Sequence, residues 1–75
     1  MRVYLIKDMG ENGVVFVKLS VVTKSPRSHW FWETHGHGGR GVGVSFTTVA
    51  KANEALNARW LELMERGYDR LEVAR

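Results

Sequence analysis

The chain has 75 residues, 11 Lys plus Arg against 8 Asp plus Glu, a formal net charge of +3 and no cysteine. One domain is all that this length accommodates, and without cysteine a disulfide framework, a thiol nucleophile and a cysteine zinc site are excluded. A hydrophobic share of 44% beside 25% charged residues is the balance of a globular chain, not of a disordered one.

Arg2 to Asp8 is rich in Val, Tyr and Ile and reads as a short strand. Gly10-Glu11-Asn12-Gly13 follows as a hairpin turn built on Asn-Gly. Val14 to Lys24 is a second, longer strand with Val15, Val17, Leu19 and Val21 on a uniformly apolar side, and Val14, Phe16, Lys18 and Ser20 on a mixed one. The apolar side is expected to face the core. Pro26 breaks the strand, and His29 to Thr34 makes a third, with Trp30 and Trp32 on one face and Phe31 on the other. Five glycines in the nine residues from His35 to Gly43 imply a turn or a close backbone approach. Val42, Val44 and Phe46 then mark a fourth strand. Thr48 caps a helix predicted over Val49–Arg66, with Val49, Ala52, Leu56, Trp60, Leu63 and Met64 on one stripe. Gly67 and Tyr68 fit a Schellman ending, with Tyr68 folding back on Leu63. Arg70 to Val73 is left as a short edge strand or a cover for the sheet. The expected fold is α+β, an antiparallel four-stranded sheet with one C-terminal helix packed on a face, in a single domain over residues 1–75.

The longest mostly apolar stretch, Val14 to Val22, is interrupted by Lys18 and is far shorter than the ~20 residues that span a bilayer. Met1-Arg2-Val3-Tyr4 lacks the pattern of a signal segment, so a cytoplasmic protein with no membrane partner is expected. Charge is uneven along the chain. Between Lys18 and Arg40 the basic residues are Lys18, Lys24, Arg27 and Arg40 and the only acid is Glu33, so this segment alone carries the whole excess. His29, His35 and His37 lie in it too. Such a cluster favours an anionic partner, because neutralising phosphates releases their counterions.

Catalytic patterns are missing: no nucleophile elbow is present, and the glycine loop fits neither the P-loop nor the dinucleotide fingerprint. A non-enzymatic protein without cofactor is expected. His35-x-His37 with His29 nearby resembles a metal-ligand spacing, but a glycine-rich loop preorganises nothing, so solvent-facing histidines and no metal are expected. Two tryptophans on one strand face beside a basic loop are what base stacking requires.

Tyr4, the stretch Trp32-Glu33-Thr34-His35-Gly36-His37-Gly38-Gly39, Ser45-Phe46-Thr47, the helix with Ala52 and Trp60, and Gly67-Tyr68 together resemble a WGR domain, the small module of nuclear poly(ADP-ribose) polymerases and many bacterial proteins. Glu33 and Thr34 stand where that family has Gly and Arg. The resemblance implies a WGR-like sheet and helix, with Trp32 packing on a DNA-end nucleotide and Gly36 and Gly39 as turn glycines. Arg40 lies a few residues beyond the place of the family's arginine.

The expected function is weakly sequence-specific nucleic-acid binding, DNA favoured, through Trp30, Trp32, Lys24, Arg27, His35, His37 and Arg40. The alternative is a small protein–protein module, a homodimer or an adaptor or inhibitor of the kind phages encode, using the same aromatic surface.

Overall fold

Alternating apolar residues set the strands, and short turns pair them as neighbours. The computed structural model describes residues 1–36 and 41–74. Its elements are β1 (Arg2–Asp8), β2 (Val14–Ser25), β3 (Ser28–His35), β4 (Gly41–Phe46), α1 (Val49–Glu65) and β5 (Asp69–Ala74). All pairings are antiparallel, and the sheet order is β4-β3-β2-β1-β5. The class is therefore α+β as expected, but the sheet has five strands where four were predicted. The stretch D-R-L-E-V-A has no clear alternation and carries three charges, so it signals a strand weakly. It becomes one because the chain is delivered alongside the free edge of β1.

That delivery is the work of α1. Thr48 Oγ1 accepts the Lys51 amide at 3.2 Å and opens the helix. At its end the Tyr68 amide donates to Leu63 O and the Gly67 amide to Met64 O, both at 3.1 Å, with Gly67 at φ +94°. This is the predicted Schellman motif, and only glycine adopts that φ without strain. Lys7 reaches from β1 to donate to Arg66 O at 2.7 Å, placing a cation at the negative end of the helix. Seventeen helical residues span about 25 Å. Four strand-to-strand steps span about 19 Å. One helix is thus long enough to carry the chain from the β4 edge to the β1 edge, across one face of the sheet.

The core lies under that crossing. Val3, Leu5, Val17 and Leu19 from the sheet meet Leu56 and Leu63 from α1, all at most 2% exposed, with Val21, Phe31, Trp60 and Tyr68 packed around them. Each such side chain contributes roughly 1.5–3 kcal/mol by leaving water. The helix stripe is fully buried at Ala52, Leu56 and Leu63. Val49 and Met64, expected in the core, are exposed: Val49 is the first residue of the helix, and Met64 lies about 80° around it from Leu56, at the margin of the stripe. Trp60 packs against the core and keeps a buried Nε1 without a hydrogen-bond partner among the described residues.

The β1–β2 hairpin forms as predicted, but its loop is a turn of 3₁₀ helix, Gly10–Asn12, in which Asp8 accepts the Gly10 amide at 2.8 Å. Asn12 is not its left-handed residue. Among the described residues no helix is long and apolar enough to cross a membrane.

Candidate nucleic-acid interface

Strand alternation decides what the uncovered face carries. The register places Val22, Trp30 and Ser45 in one cross-strand row, and Arg2, Ser20, Trp32 and Gly43 in the next. Tyr4, Lys18, Thr34 and Gly41 form a third row, with Ile6 and Phe16 beyond it. All point away from α1, since Val3, Leu5, Val17 and Leu19 alternate with them into the core.

The two tryptophans stack on one another, with ring centroids 5.5 Å apart and planes 17° from parallel. Small neighbours make room for them. A Cβ on Gly43 would lie 2.7–2.8 Å from three adjacent atoms of the six-membered ring of Trp32, so that ring rests face-on against the glycine backbone. Ser20 lies on the other side, 5% exposed. Trp30 Nε1 donates to Ser28 Oγ at 3.0 Å, which fixes the second indole. Lys24 Nζ stands 4.9 Å from the Trp30 centroid and 5.7 Å from that of Trp32. The pair is half-buried, and its cation–π contact is worth ~0.5–1 kcal/mol at such an exposed site.

The structure brings together some of the predicted residues and separates others. Trp30, Trp32 and Lys24 form one cluster. Arg27 is exposed in the β2–β3 turn, at the Trp30 end of the sheet. His35 is a correction: it has the opposite parity on β3 and lies on the helix face, where its Nε2 donates to Glu33 Oε2 at 2.6 Å. It does not join the tryptophans. His37 and Arg40 lie outside the described residues. His29, weighed as a metal ligand, is 8% exposed and engaged at both nitrogens, by Thr23 Oγ1 at 2.9 Å and Pro26 O at 3.1 Å. Among the described residues no group of three His, Cys, Asp or Glu side chains is placed to hold a metal ion.

The one acid of the central segment is also turned away from the tryptophan face. Glu33 faces α1, where Arg59 grips it at 2.6 and 3.1 Å and is itself held by Glu62 at 2.9 Å. Sequence reasoning did not find this network, because Glu33 and Arg59 are 26 residues apart. Burial by itself pushes the Glu33 carboxyl up, but the hydrogen bonds and charges of Arg59 and His35 outweigh it and hold the group below the usual carboxylate value of 4.5. The same bonds raise Arg59 further above its ordinary range.

A depressed carboxyl pKa stabilises the fold above its unfolded value, and that contribution is lost as pH falls through the folded pKa. Arg59→Ala is expected to cost ~1–2 kcal/mol at pH 7, between an exposed and a buried charged pair. The deficit should shrink as the pH drops below about 4.5, the usual carboxyl value. Urea midpoints of wild type and variant at pH 7 and pH 3 check this; an equal deficit at both would mean that Glu33 is not the charge Arg59 holds.

Two grooves flank these features. One of about 670 Å³ lies between α1 and β5, lined by Asn57, Trp60, Leu61, Met64, Asp69 and Arg70. Its single acid and single base cancel, so it offers a polyanion nothing. The other, about 400 Å³, opens beside Tyr4, Phe16, Lys18, Thr34, Gly36 and Leu71. Compared with known proteins, the chain matches no family model, no curated protein and no solved structure.

Proposed function

We propose that this chain is a non-enzymatic nucleic-acid-binding module that stacks an unpaired or terminal base on the Trp30–Trp32 surface while Lys24 and Arg27 meet phosphates. The observation that carries this reading is the stacked, half-buried indole pair on the face that α1 leaves uncovered, with Lys24 over both rings. Turning Glu33 to the other face supports it, because among the described residues of β2, β3 and β4 no acid then shares a face with the two tryptophans. Stacking uses the π-face that every base has, so the binding is tolerant of sequence. DNA is favoured over RNA by the likeness of the tryptophan strand and glycine loop to a WGR domain.

Titration of ¹⁵N-labelled protein with short single-stranded and blunt duplex DNA at low salt tests it. Shifts clustered at Lys24, Trp30, Trp32 and Gly43, with an affinity that falls steeply as salt rises, are expected. Shifts confined to α1, or none, would overturn the reading. Val14 and Val22, 47% and 43% exposed, favour the rival, a protein interface on the same surface. In that case sedimentation gives a dimer insensitive to salt, and the oligonucleotides leave the spectrum unchanged.

A further inference from the structure

The uncovered face holds a second aromatic position beyond the tryptophans. Across from Lys18 stands Tyr4 on β1, and Phe16 is the next residue of β2 on the same face. With Thr34 and Gly36 these line the groove of about 400 Å³. Each aromatic position has its own cation: Lys24 over the indoles, and Lys18 between Tyr4 and Thr34. Arg2 lies in the row between them, across from Ser20. Among the described residues of β2, β3 and β4, no acid shares this face. Glu72 stands across from Tyr4 on β5, and Asp8 across from Val14 at the end of β1, and these acids bound the basic strip at that margin.

Strand geometry sets the spacing. Trp32 is across from Ser20, and Phe16 is four residues along β2 from Ser20, or ~13 Å. Lys24 and Lys18 are six residues apart on the same strand, ~20 Å. A stacked nucleic-acid strand rises ~3.4 Å per nucleotide, so no single base reaches both aromatic positions. A duplex end presents one flat base pair and engages one position only. A single strand laid along β2 engages both, with its phosphates near Lys24, Arg2 and Lys18.

Resting on the proposed nucleic-acid function, we infer that the ligand of this face is a single-stranded polynucleotide several nucleotides long, held at two stations: the Trp30–Trp32 pair and the groove of Tyr4, Phe16 and Lys18. Charge complementarity commits the face to this occupant: Lys24, Arg2 and Lys18 follow one another along the middle of the face while its acids, Glu72 and Asp8, stand at the margin, and such a run of cations suits a phosphate chain better than it suits a second copy of itself.

The test is a length series of thymidine oligomers, from two to eight nucleotides, with uridine oligomers and a blunt duplex as parallel arms. Binding is followed by quenching of tryptophan fluorescence in wild type, Tyr4→Ala and Lys18→Ala. Longer oligomers gain affinity in any case from their greater number of binding registers, so the variants decide. Both are expected to lower octanucleotide affinity more than dinucleotide affinity, Tyr4→Ala by at least ~5-fold more, the fold-change of one lost stacked base. Lys18→Ala should also reduce the salt slope of the octanucleotide by ~0.7, one phosphate contact on a single strand. Lys18→Ala removes no core side chain, so it keeps the test decisive if Tyr4→Ala unfolds. Equal losses for short and long oligomers would overturn the second station and leave the parent reading intact. Binding of the blunt duplex without the single strands would do the same. Failure of every oligomer and of the duplex would remove both.

Discussion

Trp32→Ala is expected to weaken binding of short single-stranded oligonucleotides by ~5- to 150-fold at low salt, the range set by ~1–3 kcal/mol for a stacked base. The effect is this large because the alanine removes the ring against which Trp30 stacks and one of the two faces over which Lys24 sits. Trp32→Phe should recover part of the loss, since a smaller ring still offers a π-face. Most of the remaining affinity in Trp32→Ala should be electrostatic, so its salt slope should stay close to that of wild type. Fluorescence or calorimetric titration at two ionic strengths measures both quantities. Affinity unchanged in Trp32→Ala would end the stacking reading.

Gly43→Ala should damage the fold and the interface together. Its Cβ would stand 2.7–2.8 Å from the Trp32 ring, far inside a tolerable contact. The backbone of Gly43 is not left-handed, so the collision with the ring is the source of the cost. Either the indole swings off its seat or β4 shifts away from β3. Overpacking of this kind costs ~1–3 kcal/mol. A small domain whose total stability is of order 5 kcal/mol feels that strongly. The tryptophan emission maximum should move to the red as the ring gains water, and oligonucleotide affinity should fall toward that of Trp32→Ala. Because serine also has a Cβ, Gly43→Ser should behave alike. A variant with wild-type melting temperature and emission would show that Trp32 does not rest against this glycine.

The two variants bear on different parts of the same surface. Trp32→Ala removes the stacking ring, and Gly43→Ala keeps the ring but denies it its seat. Similar losses of affinity in both would therefore tie binding to the position of the indole, not merely to its presence. A loss in the first without one in the second would place the contact on Trp30 and Lys24 instead.

Much of this molecule is local in origin and was legible from residue order. Alternation in H-W-F-W-E-T puts Trp30 and Trp32 on one face and Phe31 on the other, because side chains of a strand alternate whatever the strand pairs with. Thr48, Gly67 and Tyr68 set the helix ends through contacts spanning three to five residues, so their signals survive without any tertiary context. Lys24, which stands over both rings, was singled out by its place in the basic segment and not by alternation. His35 was assigned to them by closeness in sequence, when its odd parity already placed it on the opposite face.

What residue order left open depended on partners far along the chain. Asp69–Ala74 becomes a strand because α1 sets it beside β1, and nothing in its own pattern demands it. Glu33 is withdrawn from the aromatic surface by Arg59, a residue on another element. The seat of Trp32 is a glycine on a neighbouring strand, which reads in sequence only as part of a flexible stretch. That the described residues leave one sheet face bare follows from their forming a single α-helix, but which side chains gather on it needs the register of four strands at once. Short-range sterics and periodicity act on a few consecutive residues; charge pairing, close approach and the meeting of strands exist only once the chain has folded.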